Sequence, residues 1–112
     1  MSIAAGRLRH RVRIERRIDG QDSNLDPVFT WEWVATVWAA VEPLSSREFF
    51  AAQAAQSQVV ARITIRHRDG LNAQMRLLHR GKVYNPAGFL PDKDSGIEYL
   101  TIPVTQGVNQ GD

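Results

Sequence analysis

The chain has 112 residues, 43% of them hydrophobic and 23% charged, with a formal net charge of +2 and no cysteine. That composition is of one globular domain with a single small core, so function is expected to depend on self-association or a partner. Disulfides and thiolate metal sites are excluded, and no stretch approaches the ~18 apolar residues of a membrane span. No signal-like apolar run precedes the first arginines, so a soluble protein made in a cytoplasm is expected.

From Arg7 to Ile18 the residues alternate strictly. Leu8, His10, Val12, Ile14, Arg16 and Ile18 fall on one side, and Arg7, Arg9, Arg11, Arg13, Glu15 and Arg17 on the other. A period of two over this length predicts a half-buried strand. Asp19-Gly20 opens a polar loop that runs to Asp26-Pro27. A second strand is predicted over Val28–Glu42. Both of its faces are apolar, which predicts a central strand or one bent so that each half buries a different face.

Pro43-Leu44 ends that strand, and Ser45-Ser46-Arg47-Glu48 has the pattern of a capping box. Ser45 would accept from the Glu48 amide while Glu48 reaches back to the Ser45 amide. Leu44 and Phe49 are placed to form a hydrophobic staple. The alanine-rich stretch to Gln56 predicts the chain's one clear helix, which is too short to persist without something to pack against. Alternation resumes from Gln58 to Arg68, and Asp69-Gly70 marks a turn. Met75–His79 and Lys82–Tyr84 are short strands about Arg80-Gly81. Asn85-Pro86 should end or bulge its strand, because proline cannot donate to a ladder. A turn-rich loop over Pro86–Gly96 leads to a last strand, Ile97–Val104. The predicted architecture is mainly β: one domain over 1–112, a small antiparallel β-barrel of about six strands with one inserted α-helix. Residues 1–6 and 106–112 are expected to be flexible.

Chemistry is sparse. His10, His67 and His79 lack metal-ligand spacing, no glycine cluster forms a phosphate loop, and Ser45 is explained by capping. No catalytic residue, cofactor or metal is assigned. The sharpest feature is the arginine content, twelve against two lysines, with Arg7, Arg9, Arg11 and Arg13 in a stripe. Alternate residues of a strand lie ~6.6 Å apart. Guanidinium groups suit bidentate pairing with carboxylates or phosphates. Trp31, Trp33 and Trp38 could stack bases, but in so small a domain they are expected in the core, with Trp33 or Trp38 also able to anchor an interface.

Read in order, Leu8–Glu15, Thr36–Glu42, Ser46–Ala52, Ile63–Gly70, Met75–Leu77 and Gly81–Tyr84 resemble the phage head–tail joining family, also called head completion or stopper proteins. The resemblance runs from about Leu8 to Val104. It implies a structural virion subunit, made in the host cytoplasm and placed at the head–tail connector. It further implies a homo-oligomeric ring, usually of twelve, beneath the portal and its adaptor. Such a ring would close the filled head, dock a tail-completion or tail-tube protein, and let duplex DNA pass without sequence specificity. Candidate subunit, portal or DNA-lumen contacts are Arg7, Arg9, Arg11, Arg13, Arg66, Arg68 and Glu42, with carboxylates of the Asp19–Asp26 loop as partners. Ser45 and Glu48 are the candidate helix cap. Asp19–Pro27, Pro43–Gln56 and Pro86–Gly96 are the segments from which a channel plug could come. The competing reading is an OB-like or SH3-like nucleic-acid module using the arginines and tryptophans.

Overall fold

The computed structural model describes residues 7–107. The elements run β1 (His10–Gln21), β2 (Pro27–Pro43), α1 (Ser46–Ala54), β3 (Val59–Arg66), β4 (Met75–His79), β5 (Lys82–Pro86), β6 (Leu90–Pro91) and β7 (Tyr99–Gln106). The sheet order is β3-β2-β1-β4-β5-β7-β6, and a further β3–β7 pairing closes the ring. All pairings are antiparallel. Six strands therefore form a barrel. The seventh, two-residue β6, meets Leu100 and Thr101 on the edge where β5 meets Val104–Gln106. Closure removes the sheet edges that a small domain would otherwise expose.

Strand alternation fills the barrel. Val12 and Ile14 of β1, Ala39 of β2, Ile63 and Ile65 of β3, Leu77 of β4 and Ile102 and Val104 of β7 form one core. Along β2 the alternation breaks once. Ile14 opposes Ala35 but Glu15 opposes Trp33, so Val34 has no partner. This bulge lets the adjacent Val34 and Ala35 both face the core. It is the bend expected from a strand apolar on both sides.

Several boundaries differ from the sequence reading. β1 and β2 continue into the segment read as a loop, leaving only Asp22–Asp26 as the turn. Beyond Arg16, β1 has no neighbour but β2, and before Ala39, β2 has none but β1. The Arg17–Trp31 hairpin thus stands out from the barrel as an arm. At its tip, the Asp22 carboxylate accepts from the amides of Asn24 (2.8 Å) and Asp26 (3.0 Å). Leu25 takes the left-handed region at φ 65°.

β5 does not stop before Pro86, which pairs with Val104. The Val83 carbonyl and the Ala87 amide both bond toward β7. By alternation the proline nitrogen points the other way, where the β4 pairing has already ended at Tyr84. The missing donor thus costs no ladder bond. The last strand is shifted to Tyr99–Gln106. Gln106, read as the start of a flexible tail, opposes Tyr84, and the Gly107 amide donates to the Val83 carbonyl at 2.7 Å. Residues 1–6 and 108–112, the remainder of the expected flexible ends, lie outside the described residues.

The capping box is present: Glu48 N donates to Ser45 Oγ at 3.2 Å and Ser45 N to Glu48 Oε1 at 3.1 Å. Yet α1 buries none of its residues. Its Phe49 and Phe50 rings meet edge-on at 6.0 Å, with Phe50 68% exposed. The helix is tied to the barrel by the Glu48–Arg62 ion pair and, just before it, by Leu44 N to the Val60 carbonyl. The Arg62 hydrogen bond, aided by Ser45, lowers the Glu48 carboxyl from its ordinary 4.5 to about 2.

Because α1 buries none of its residues, its cap should control local order and not global stability. Ser45→Ala should fray the helix, seen as faster amide exchange over residues 46–54, and leave the denaturant midpoint of the barrel nearly unchanged. Acid should act on the same segment. A depressed carboxyl holds the insert in place above about pH 4.5, and that hold is lost as pH falls toward about 2. An NMR titration should find the Ser45 and Glu48 amides shifting in this window in the wild type and not in Glu48→Gln.

Candidate functional site

Arg11 and Arg13 of the stripe lie on the outer face of the β1–β2 hairpin, opposite Trp38 and Thr36; past the bulge Glu15 and Arg17 continue that face opposite Trp33 and Trp31. Cross-strand neighbours there are ~4.5–5.5 Å apart at Cβ, within reach of long side chains. Arg11 opposes Trp38 and its guanidinium lies 4.7 Å from the Trp38 ring centre. Arg13 Nε donates to Glu15 at 2.6 Å. Arg17 lies 4.1 Å from the Phe29 ring centre and pairs with Asp19 at 2.8 Å. Phe29 in turn meets Trp31 edge-on at 6.1 Å. Arg7, ahead of the strand, pairs with Glu42 of its own chain at 3.2 Å, and Arg9 shares a shallow hollow with them. The surface is a ladder of guanidinium groups on rings and carboxylates.

Trp33 and Trp38 were expected in the core, but they are 53% and 52% exposed. The register places both on the outer face, Trp38 beneath the Arg11 guanidinium and Trp33 with its Nε1 donating to Thr36 Oγ1 at 2.9 Å.

One cluster in the ladder escaped the sequence reading. Glu15 is on the outer face, as alternation requires, yet only 6% exposed, and Arg76 of β4 directly opposite is 4% exposed. Arg76 donates to the same Glu15 oxygen through Nε (2.9 Å) and Nη2 (2.8 Å), and its guanidinium lies 4.2 Å from the Trp31 ring centre. Arg13 takes the other Glu15 oxygen. The only hint in sequence was an arginine inside the apolar run Met75–Leu78.

Arg66 and Arg68 fall elsewhere, at the end of β3. With Thr36, Val37, Trp38 and His67 they line a hollow of about 240 Å³ where β2 leaves β3. Arg66 also lies 5.8 Å from the Tyr99 ring centre. The structure thus joins Arg11 to Arg66 and Arg68 through Trp38, and sets Arg7 and Glu42 apart from them. His10 and His79 meet edge-on at 5.0 Å. His79 is lowered below its ordinary value, chiefly by burial. His67, read onto an apolar strand face, is exposed just beyond β3. Among the described residues no three His, Cys, Asp or Glu groups are arranged to hold a metal ion.

The structure is thus a closed barrel with much of its outer face in internal ion pairs, carrying an arm and a helix that buries none of its residues. Residues 3–107 match the model of the phage head completion protein family. The chain is 34% identical over 88 residues to head completion protein gp7 of Enterobacteria phage HK97, covering 74% of this chain and 79% of that protein. It is 31% identical over 83 residues to head completion protein gp16 of Bacillus phage SPP1, covering 72% and 75%. The solution structure of protein SF1141 from Shigella flexneri 2a superposes with a TM-score of 0.73 at 31% identity, covering 96% of this chain and all of that one. A chain of the native gene transfer agent virion shares the fold at a TM-score of 0.54, 13% identity, 88% of this chain and 94% of that one. The chain belongs to the phage head completion family. It is a structural component of the virion, at the head–tail junction.

Removing Arg76 would leave the Glu15 carboxylate buried with half its partners gone. Arg76→Ala should cost ~3–5 kcal/mol in urea unfolding, and the apolar pair Glu15→Leu with Arg76→Met should recover most of it. A loss below ~1 kcal/mol, as for a surface pair, would show that the cluster is not holding the arm to the barrel.

Proposed function

We propose that this protein forms a ring on the portal side of the head–tail junction, closes the DNA-filled head and presents a docking face to the tail. The observation that carries this reading is the amount of structure that buries nothing in its own subunit. A chain this short builds a complete barrel and still extends an arm and a capped helix into solvent. Such elements fit contacts with neighbouring copies and with portal or tail components. Repetition around a ring multiplies weak contacts into a durable closure. The family resemblance implies twelve copies, with DNA passing through without sequence reading.

The alternative of a nucleic-acid module is not favoured. Of the stripe, Arg7 and Arg13 are paired with carboxylates of their own chain and Arg11 lies over Trp38. Little of that charge stands ready for phosphate.

Three measurements test the proposal. The isolated subunit should bind duplex DNA only as a generic basic protein, at ~10⁻⁴–10⁻⁶ M at physiological salt. Added to portal-bearing heads, it should assemble as a ring visible by electron microscopy and retain the packaged DNA. Reversing Arg9 and Arg11 to Glu should abolish completion with thermal unfolding little changed, since exposed strand charges contribute little to stability. Tight, steeply salt-dependent DNA binding by the monomer that disappears in this variant would favour the nucleic-acid module instead.

A further inference from the structure

The two most unusual surfaces of the subunit are complementary, and they cannot meet within one chain. The first is the tip of the arm. Leu25 is 73% exposed in a left-handed backbone conformation that a leucine rarely adopts, and the Asp22 carboxylate organises the turn around it. Asp22 and Asp26 bound the turn that carries this apolar knob, and from Ile18 to Trp31 the chain has no lysine or arginine. Strain and exposure at an ordered turn point to a role outside the subunit.

The second is the hollow of about 240 Å³ lined by Thr36, Val37, Trp38, Arg66, His67 and Arg68. Trp38 offers an apolar wall, 52% exposed, with the Arg11 guanidinium on its ring. Among the described residues none of Arg11, Arg66 and Arg68 is in an ion pair. The hollow therefore combines an apolar wall with the guanidinium groups of Arg66 and Arg68, with Arg11 beside it on the Trp38 ring, and the tip combines an apolar knob with the carboxylates of Asp22 and Asp26.

Eleven steps of extended strand, Pro27 to Trp38, separate the turn that carries Leu25 from the hollow, a span of ~36 Å. The tip cannot fold back onto its own hollow. We propose that the tip of one copy seats in the hollow of the next, with Leu25 against Trp38 and Asp22 and Asp26 facing Arg66 and Arg68. This rests on the ring reading above and assigns the surfaces that would build it. The contact joins two different patches, so it is heterologous, and it propagates from copy to copy until rotation closes a ring. Opposed charges fix the direction of travel around the ring and disfavour tip-to-tip encounters.

The absence of cysteine allows a direct test. A variant carrying Leu25→Cys and Thr36→Cys, assembled on portal-bearing heads of the phage that encodes the chain and mildly oxidised, should give a ladder of disulfide-linked oligomers that collapses on reduction. Either single variant should give no ladder. Asp26→Lys and Arg68→Glu should each lower incorporation about tenfold, and the two together should restore it. If wild type joins the heads but the double-cysteine variant gives no ladder and the charge swap no rescue, the tip–hollow contact is wrong while the ring reading stands. If wild type does not join the heads, the ring reading fails and takes this contact with it. An adduct of the Thr36→Cys side chain with a different virion protein, and none with the Leu25→Cys tip, would assign the hollow to that protein and overturn the proposal.

Discussion

β1 and β2 are far longer than the strands available to flank them. They have 12 and 17 residues, against five in β4 and eight in β3. Only Arg13–Arg16 of β1 meets β4, and only Ala39–Pro43 of β2 meets β3. The barrel closes on that overlap, and its core is drawn from the residues that the overlap brings together. The rest of the hairpin has to stand outside, with two edges and two faces in water. The arm, the exposed tryptophans and the hollow beside Trp38 all follow from this mismatch.

A two-stranded ribbon in water is marginal by itself. Side-chain contacts brace this one where it leaves the barrel. On the outer face Arg76 reaches from β4 to Glu15 and covers Trp31; on the opposite face Arg16 pairs with Glu32 at 2.5 Å. Arginine suits this position because its flat guanidinium stacks on a ring while its fork holds a carboxylate, which a lysine ammonium does not do. The arginine content of the chain is thus largely a mechanical feature of the hairpin. Among the described residues Arg7, Arg13, Arg16, Arg17, Arg62 and Arg76 are in ion pairs, while Arg11, Arg66 and Arg68, which are not, lie around Trp38.

The helix follows a different logic. Its cap and its Glu48–Arg62 tie give it a defined start, while its aromatic side chains remain in solvent. A segment whose local order is set by a cap and one ion pair is held loosely, at the low-stability end of the fold.

Local rules made much of this protein legible from its sequence. Period-two alternation located the main strands, because a strand with one buried face must alternate. The capping box located the helix start, since its two hydrogen bonds need only a serine and a glutamate three residues apart. The ordered set of motifs pointed to the family. Only the tertiary structure decided that Trp33 and Trp38 face solvent, that Glu15 and Arg76 are buried together, and that Pro86 sits in a strand without cost. It also decided that Arg11, Arg66 and Arg68 converge on one tryptophan. Each of these depends on which strand lies beside which and at what register. Pairing between residues as distant as Glu15 and Arg76 is set by closure of the whole barrel, which no local pattern encodes.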